Sequence, residues 1–214
     1  MIMKKYIDLK TWPRATAFQH FLPYSDPYFG MTCTIDCTNA YTRAKDLGIS
    51  FFLYYFYLSL KTANEIPEFR IRLENKKPVI FDKVNGSPTI MRNDGEMGYA
   101  MLEYKDSLEK FLPDAEKEVH RVKTHPDLDT SKDCPETIYY SIMPWIKFTS
   151  VEHPVDLPNT EGVPIFTFGK MTTENGRKTM PLAIHAHHSL MDGAHAAKFI
   201  ESFQNKLNAL DNNI

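Results

Sequence analysis

The window Ile49–Leu60, ISFFLYYFYLSL, constrains the fold of this chain more than any other stretch. With Ser50 as N-cap and Pro67 just beyond its end, FFLYYFYLSLKTANEI reads as a helix whose aromatics cover most of its circumference. Such a helix has to be covered on nearly every side. The window is too short to span a bilayer and runs into Lys61 and Glu65, so the cover must be protein. A chain of 214 residues, 43% of them hydrophobic, can build one substantial core, and a single domain over residues 1–214 is expected.

The remaining segments supply both strands and helices. YFGMTCTIDCT (Tyr28–Thr38) partly alternates and is rich in β-formers, as a strand is. TNAYTRAKDLG then has an N-cap at Thr38 or Asn39 and a stop at Gly48, a short helix. FRIRLENKKPVIFD alternates about a polar turn, as a hairpin does. SLEKFLPDAEKEVHRVKT is a charged surface helix with Pro113 near its first turn. ETIYYSIMPWIKFTS is a strand ending near Pro144. PIFTFGKMTTENGRKTMPLAIHAHH reads as two long strands joined at Glu174-Asn175-Gly176, since Asn-Gly favours a tight hairpin turn. GAHAAKFIESFQNKLNAL closes the pattern as a helix with Ala196, Phe199, Ile200 and Phe203 on one face. The mixture implies an α+β layered domain.

Charge and cysteine content remove several functions. Lys+Arg number 25 and Asp+Glu 27, a formal net charge of -2, so no general basic surface is offered to nucleic acid. Three cysteines, Cys33, Cys37 and Cys134, do not describe a disulfide framework. The opening MIMKKYIDLKTW has a basic pair but no apolar stretch behind it, a poor signal peptide. A cytoplasmic protein without a membrane partner is expected.

HAHHSLMDGAH, His185–His195, holds four of the eight histidines. On a strand His185 and His187 point one way, and Ala186 and His188 the other. Zinc held by His185, His187 and a third ligand would be one use of the cluster. No CxxC or HExxH pattern accompanies it, so no metal is expected. His185 and His195 read as structural. His188 sits at a strand end, ahead of Asp192-Gly193 and a helix. Gly193 permits a tight turn, and Asp192 is placed to cap the helix or to pair with a distant cation. A histidine beside a loop fixed in that way suits a general base, because an ordinary imidazole keeps a useful neutral fraction at pH 7.

HHSLMDGAHAAKFI resembles the signature of the chloramphenicol acetyltransferase family. HHxxxDG alone is shared with other coenzyme A-linked acyltransferases and with peptide-synthetase condensation domains. Those relatives are usually larger or carry two such folds, so a chain of this length fits the single-fold family better. Five further segments resemble the family in order: TWPRATAFQHF, TCTIDCT, ANEIPEFRIRL, SIMPWIKFTS and PIFTFGKM, so the likeness runs from about Trp12 to Phe203. The resemblance implies a two-layer mixed β-sheet with helices packed on one side. It implies a homotrimer with active sites at the subunit interfaces, and acetyl-CoA as co-substrate. By the same resemblance, His188 is the general base that takes a proton from the acceptor hydroxyl, and Ser141 stabilises the oxyanion. Asp192 and Arg14 form a buried ion pair that supports the site, and Thr167 assists through water. Phe29 and Trp145 line the acceptor pocket.

The chain also departs from the family. Phe21 stands where chloramphenicol-acetylating members usually carry a tyrosine whose hydroxyl bonds the antibiotic, so this pocket residue lacks that group. Pro27, in LPYSDPYFG, stands where many members have cysteine. The expected activity is therefore O-acetyl transfer to chloramphenicol, the chemistry of antibiotic resistance. The alternatives are transfer to a different small alcohol or amine, or a non-catalytic trimeric relative that binds a small ligand.

Overall fold

The computed structural model describes residues 2–126, 128–129, 134–155 and 161–209. The chain begins with strand β1 (Lys4–Tyr6) and helix α1 (Ala15–Phe21), then runs through the long strand β2 (Tyr28–Asp36). Helix α2 (Thr38–Asp46) follows. Its N-cap is Cys37 rather than Thr38 or Asn39, and no side chain of Cys37 caps it. Asp36 does the work from one residue further out, its Oδ1 accepting from the Thr38 N–H and hydroxyl. Helix α3 (Phe51–Glu65) starts at Ser50, whose Oγ accepts from the Leu53 N–H.

A short 3₁₀ turn leads into the hairpin of β3 (Ile71–Glu74) and β4 (Lys77–Phe81). Asn75 and Lys76 turn it with φ of 50° and 59°, both in the left-handed region that two-residue hairpins need. Strands β5 (Asn85–Met91) and β6 (Met97–Tyr99) precede α4 (Leu108–Thr124), which carries Pro113 inside it. Then come β7 (Thr137–Ile142), β8 (Ile165–Phe168), β9 (Thr172–Glu174), β10 (Arg177–His187) and α5 (Gly193–Asn208). The last residue of the expected closing helix, Leu210, lies outside the described residues.

The large sheet has the order β2-β10-β8-β7-β5-β6, with β9 also on β10. Its pairs are antiparallel except β5–β7 and β7–β8, so the sheet is mixed as expected. One expected element divides. PIFTFGKMTTE is two strands, because three residues, 169–171, lie opposite only two, Met180 and Pro181, on β10. Pro181 has no N–H for the ladder, and the extra residue makes a bulge. The Lys170 N–H turns away to the Ile146 carbonyl. Such a break depends on the partner strand and leaves no local signature in 164–174.

Helix α3 is covered as its composition demands. Tyr54, Phe56, Tyr57, Leu60 and Ala63 are all fully buried. Phe56 meets Tyr140 of β7 at 4.4 Å between ring centres, and Tyr55 meets Phe168 of β8 at 4.8 Å. A Cβ on Gly86 of β5 would lie 2.5 Å from the Phe56 ring, so glycine is what lets the helix come this close. Helix α5 packs on the same side, with Phe199 at 4.7 Å from Phe166. The opposite face of β7, β8 and β10 carries Ser141, Thr167, His185 and His187, in phase with one another by strand alternation. β1, β4 and β3 form a separate small sheet. Arg72 of β3 is fully buried, and its guanidinium donates to the carbonyls of Phe69, Ile71, Pro135 and Thr137. These bonds tie the small sheet to the start of β7.

Candidate active site

His188 follows the last residue of β10, but the ladder continues one rung past the strand. His187 registers with Tyr28, and the His188 N–H donates to the Pro27 carbonyl at 2.8 Å. The backbone is therefore held, and the ring is held separately. Phe21 stacks on the imidazole at 3.9 Å with an interplanar angle of 8°, and Phe29 meets it at 4.8 Å. Nδ1 is buried without a hydrogen-bond partner among the described residues. Nε2 is neither among the buried unpartnered atoms nor hydrogen-bonded among the described residues, which makes it the nitrogen a substrate can reach.

The loop after His188 is fixed by Arg14 and Asp192. Arg14 pairs with the Asp192 carboxylate through Nη1 and donates to the His188 carbonyl through Nη2 at 3.0 Å. Asp192 also caps α5, its Oδ1 accepting from the Ala194 N–H at 3.0 Å, while its own N–H donates to His195 Nδ1. Sequence reasoning offered a helix cap or an ion pair, and this residue makes both. Burial pushes the Asp192 carboxyl up, but His195, Arg14 and the Ala194 N–H outweigh it, and the pKa lies below the usual carboxylate value. The pair is less enclosed than expected: the Asp192 side chain is 36% exposed in the single chain. The expected loss on Asp192→Ala is therefore that of a cap, about 0.5–2 kcal/mol, well under that of a sealed ion pair. Thermal melting together with turnover measures it. A wild-type melting curve with wild-type turnover would show that the loop does not depend on this residue.

The other histidines are anchored elsewhere. His187 is 2% exposed, bonded through Nδ1 to the Ser189 hydroxyl at 2.7 Å and edge-on to Tyr28. Burial first, and the neighbouring His188 second, lower its pKa to about 4. An unfolded histidine near 6.5 binds its proton first, so His187 stabilises the fold fully above pH 6.5 and loses that contribution as pH falls towards 4. The linkage is on the order of 3 kcal/mol. Melting temperature followed from pH 7.5 to 4.5 should fall across that window, and His187→Gln should flatten the slope. His185 lies over Gly30, where a Cβ would come within 2.8 Å of its ring. Among the described residues no group of three His, Cys, Asp or Glu is arranged to hold a metal ion.

Ser141 does not meet His188 within the chain. It registers with Thr167, and Thr167 with Ala183. His188 is five residues further along and two strands across, so at ~3.3 Å per residue and ~4.8 Å per strand the separation is roughly 19 Å. Ser141 instead lines a cleft of about 500 Å³ with Thr89, Tyr99, Tyr139, His153 and Ile165. Thr167 is fully buried beside it, and its hydroxyl is bonded to His153 Nε2 at 2.7 Å. Trp145 joins neither group. Trp145 is 62% exposed and lines a different cleft of about 570 Å³, with Phe52, His120, Lys123 and Ile142. Thr89 borders both clefts, and its hydroxyl accepts from the Ile142 N–H, so one strand pair separates them. Sequence reasoning missed His153, Tyr139 and the Trp145 cleft. His153 lies in an aperiodic segment, and only its type, a histidine outside any element, marks it.

This layered sheet, with helices on one side and a clamped histidine at a strand end, has the fold of coenzyme A-dependent acyltransferases. A solved structure described as a probable dihydrolipoamide acetyltransferase from Listeria monocytogenes superposes with a TM-score of 0.66, covering 98% of this chain and 97% of that one, at 14% identity. At that identity the likeness is one of fold. A solved chloramphenicol acetyltransferase is much nearer, with a TM-score of 0.89 and 28% identity over 96% of this chain and 100% of that one. The family model described as chloramphenicol acetyltransferase matches residues 2–204, and the chain belongs to that family. Chloramphenicol acetyltransferases from Clostridium perfringens and Clostridium butyricum are 28% and 29% identical over 98% and 92% of this chain, and over 100% and 92% of their own lengths. The protein is thus an acetyltransferase of this family, with chloramphenicol acetyltransferase-like activity.

Proposed function

We propose that the chain, a single domain, is a homotrimeric enzyme that transfers acetyl from acetyl-CoA to a hydroxyl of chloramphenicol or a closely similar small alcohol. The observation that carries this reading is the His188 clamp. Its ring is sandwiched by Phe21 and Phe29, its carbonyl is tied to Arg14, and Nε2 is the accessible nitrogen. In the reaction His188 takes the acceptor hydroxyl proton at Nε2 as the oxygen bonds to the thioester carbonyl carbon. Ser141 donates its hydroxyl to the resulting oxyanion. The C–S bond then breaks, and His188 returns the proton to the departing thiolate. Thr167 supports Ser141 from the adjoining strand, and Arg14 and Asp192 hold the loop. No acyl-enzyme is needed.

The separation of roughly 19 Å means that His188 and Ser141 act on one substrate only if they come from different copies. Strand β2 favours such assembly. It is nine residues long and lies at the end of the large sheet, bonded there, among the described residues, to β10 alone. The cleft at Trp145 suits the arm of the thioester, because it is mainly apolar, carries Lys123 and His120, and adjoins Ser141's cleft at Thr89. Among the described residues no helix is long and apolar enough to cross a membrane. A cytoplasmic location fits a chain with only three cysteines and a thioester made in that compartment.

A thiol-release assay with acetyl-CoA tests the reading against chloramphenicol and a panel of other alcohols and amines. Release with chloramphenicol is expected; release only with other acceptors would keep the chemistry and change the substrate. Phe21 is the observation that favours this second reading. Its ring lies flat on His188 but carries no hydroxyl for the acceptor. Phe21→Tyr should improve kcat/KM for chloramphenicol by about tenfold or less, the range of one neutral hydrogen bond. An unchanged value, with the hydroxyl located in the pocket, would point to another acceptor.

A further inference from the structure

His153 is half-buried at the junction of two clefts, the one that holds Ser141 and a second of about 610 Å³ that holds Phe29 and His185. Its ring is set edge-on to His185 at 5.6 Å between centres. Its one hydrogen bond among the described residues joins Nε2 to the Thr167 hydroxyl at 2.7 Å. Thr167 is fully buried, so its hydroxyl proton has to find an acceptor there. Nε2 is that acceptor, which assigns the imidazole proton to Nδ1. Nδ1 is not among the buried unpartnered atoms and is bonded to none of the described residues, so this N–H is an open donor on the wall of the cleft. Burial, and then His185, hold the His153 pKa below the ordinary value, and the ring is neutral at neutral pH.

We infer that His153 is a specificity-determining residue, whose Nδ1–H donates a hydrogen bond to an oxygen of the acceptor other than the hydroxyl being acetylated. The inference rests on the reading that the Ser141 cleft holds the acceptor. The acceptor class that fits is an alcohol with a second, hydrogen-bond-accepting oxygen: a carbonyl, nitro, sulfonyl or ether group. A purely apolar alcohol would leave the N–H without water or partner, and a site built on a hydrogen bond rejects analogues lacking it far better than a greasy site rejects polar ones. Ser141 and the tyrosines Tyr99 and Tyr139 share the same wall, so the donor does not stand alone in a dry pocket.

The test compares chloramphenicol, which carries nitro and amide oxygens, with 3-phenylpropan-1-ol, which carries neither. His153→Leu should raise the KM for chloramphenicol by about tenfold with kcat nearly kept, and should leave or lower the KM for the phenyl alcohol. His153→Gln, which keeps an N–H donor, should recover most of the preference. In the wild-type protein, ¹⁵N NMR of the imidazole should show the Nδ1–H tautomer, and saturating chloramphenicol should shift that resonance. This measurement stands even where a variant fails to fold. An unchanged ratio of kcat/KM between the two alcohols in His153→Leu, or a resonance that does not move, would overturn the role of His153. An equal loss of kcat with both alcohols would do the same, assigning the residue to Thr167's support. No thiol release by wild-type protein with either alcohol would instead overturn the acceptor reading on which the inference rests.

Discussion

His188→Ala should lower acetyl transfer by at least ~10²–10⁴, the range of a positioned acid–base group, while acetyl-CoA still binds. The two effects separate because in the proposed reaction the imidazole acts on the acceptor hydroxyl, whereas the cleft proposed for the thioester arm is lined by Trp145, Lys123 and Ile142. Steady-state rates and a binding isotherm for acetyl-CoA give the two readouts. His187→Ala is the informative comparison. His187 is enclosed by Tyr28 and Ser189, so the variant should lose stability and keep turnover where it folds. His195→Ala should weaken the start of α5 with a smaller effect on rate. Normal turnover in His188→Ala with none in a folded His187→Ala would reverse the assignment of the two rings.

A mixture of two dead variants should recover activity. Ser141→Ala alone should lose ~10²–10³ in turnover as an oxyanion donor is removed. Co-expressed in equal amounts with His188→Ala, random trimers would unite an intact His188 with an intact Ser141 at roughly a quarter of their interfaces. Activity near a quarter of wild type is then expected, far above either variant alone. Mixed oligomers that stay as inactive as the separate variants would require both residues to serve the same site from one chain. A fully active monomer at low concentration, by ultracentrifugation and assay together, would also end the interfacial reading.

Much of the fold was legible because its signals are local. The aromatic run of α3, the serine cap at Ser50, the Asn175-Gly176 turn and the apolar stripe of α5 each report their own element. The histidine signature likewise placed His188, Asp192 and the helix start together, since all lie within six residues. What failed depends on partners distant in sequence. The break between β8 and β9 is made by Pro181 and a one-residue excess, seen only once β10 is laid beside them. Trp145 left the acceptor group because a loop has no periodicity to fix the direction of its side chains. The gap between Ser141 and His188 contradicts no expectation, since the site was expected between subunits; it follows from strand order, β10 beside β8 beside β7, which no local pattern encodes. His153 meets Thr167 across a loop and a strand, a contact of the same non-local kind.

Among the described strands β10 is the last in sequence, yet it is bonded on both sides, to β2 on one and to β8 and β9 on the other. Until it arrives, β2 has been synthesised without the neighbour that completes its ladder, and β8 lacks one of its two. Arg14 likewise waits for an aspartate 178 residues away. The sheet therefore closes only once β10 has been made, and the contacts it closes are long in sequence, which slows folding and leaves strand edges open to other chains in the interval. A chain cut short before Arg177 lacks β10, the strand that joins β2 to the rest of the sheet. Such a fragment is expected to aggregate or be degraded rather than persist as an inactive subunit in the proposed trimer.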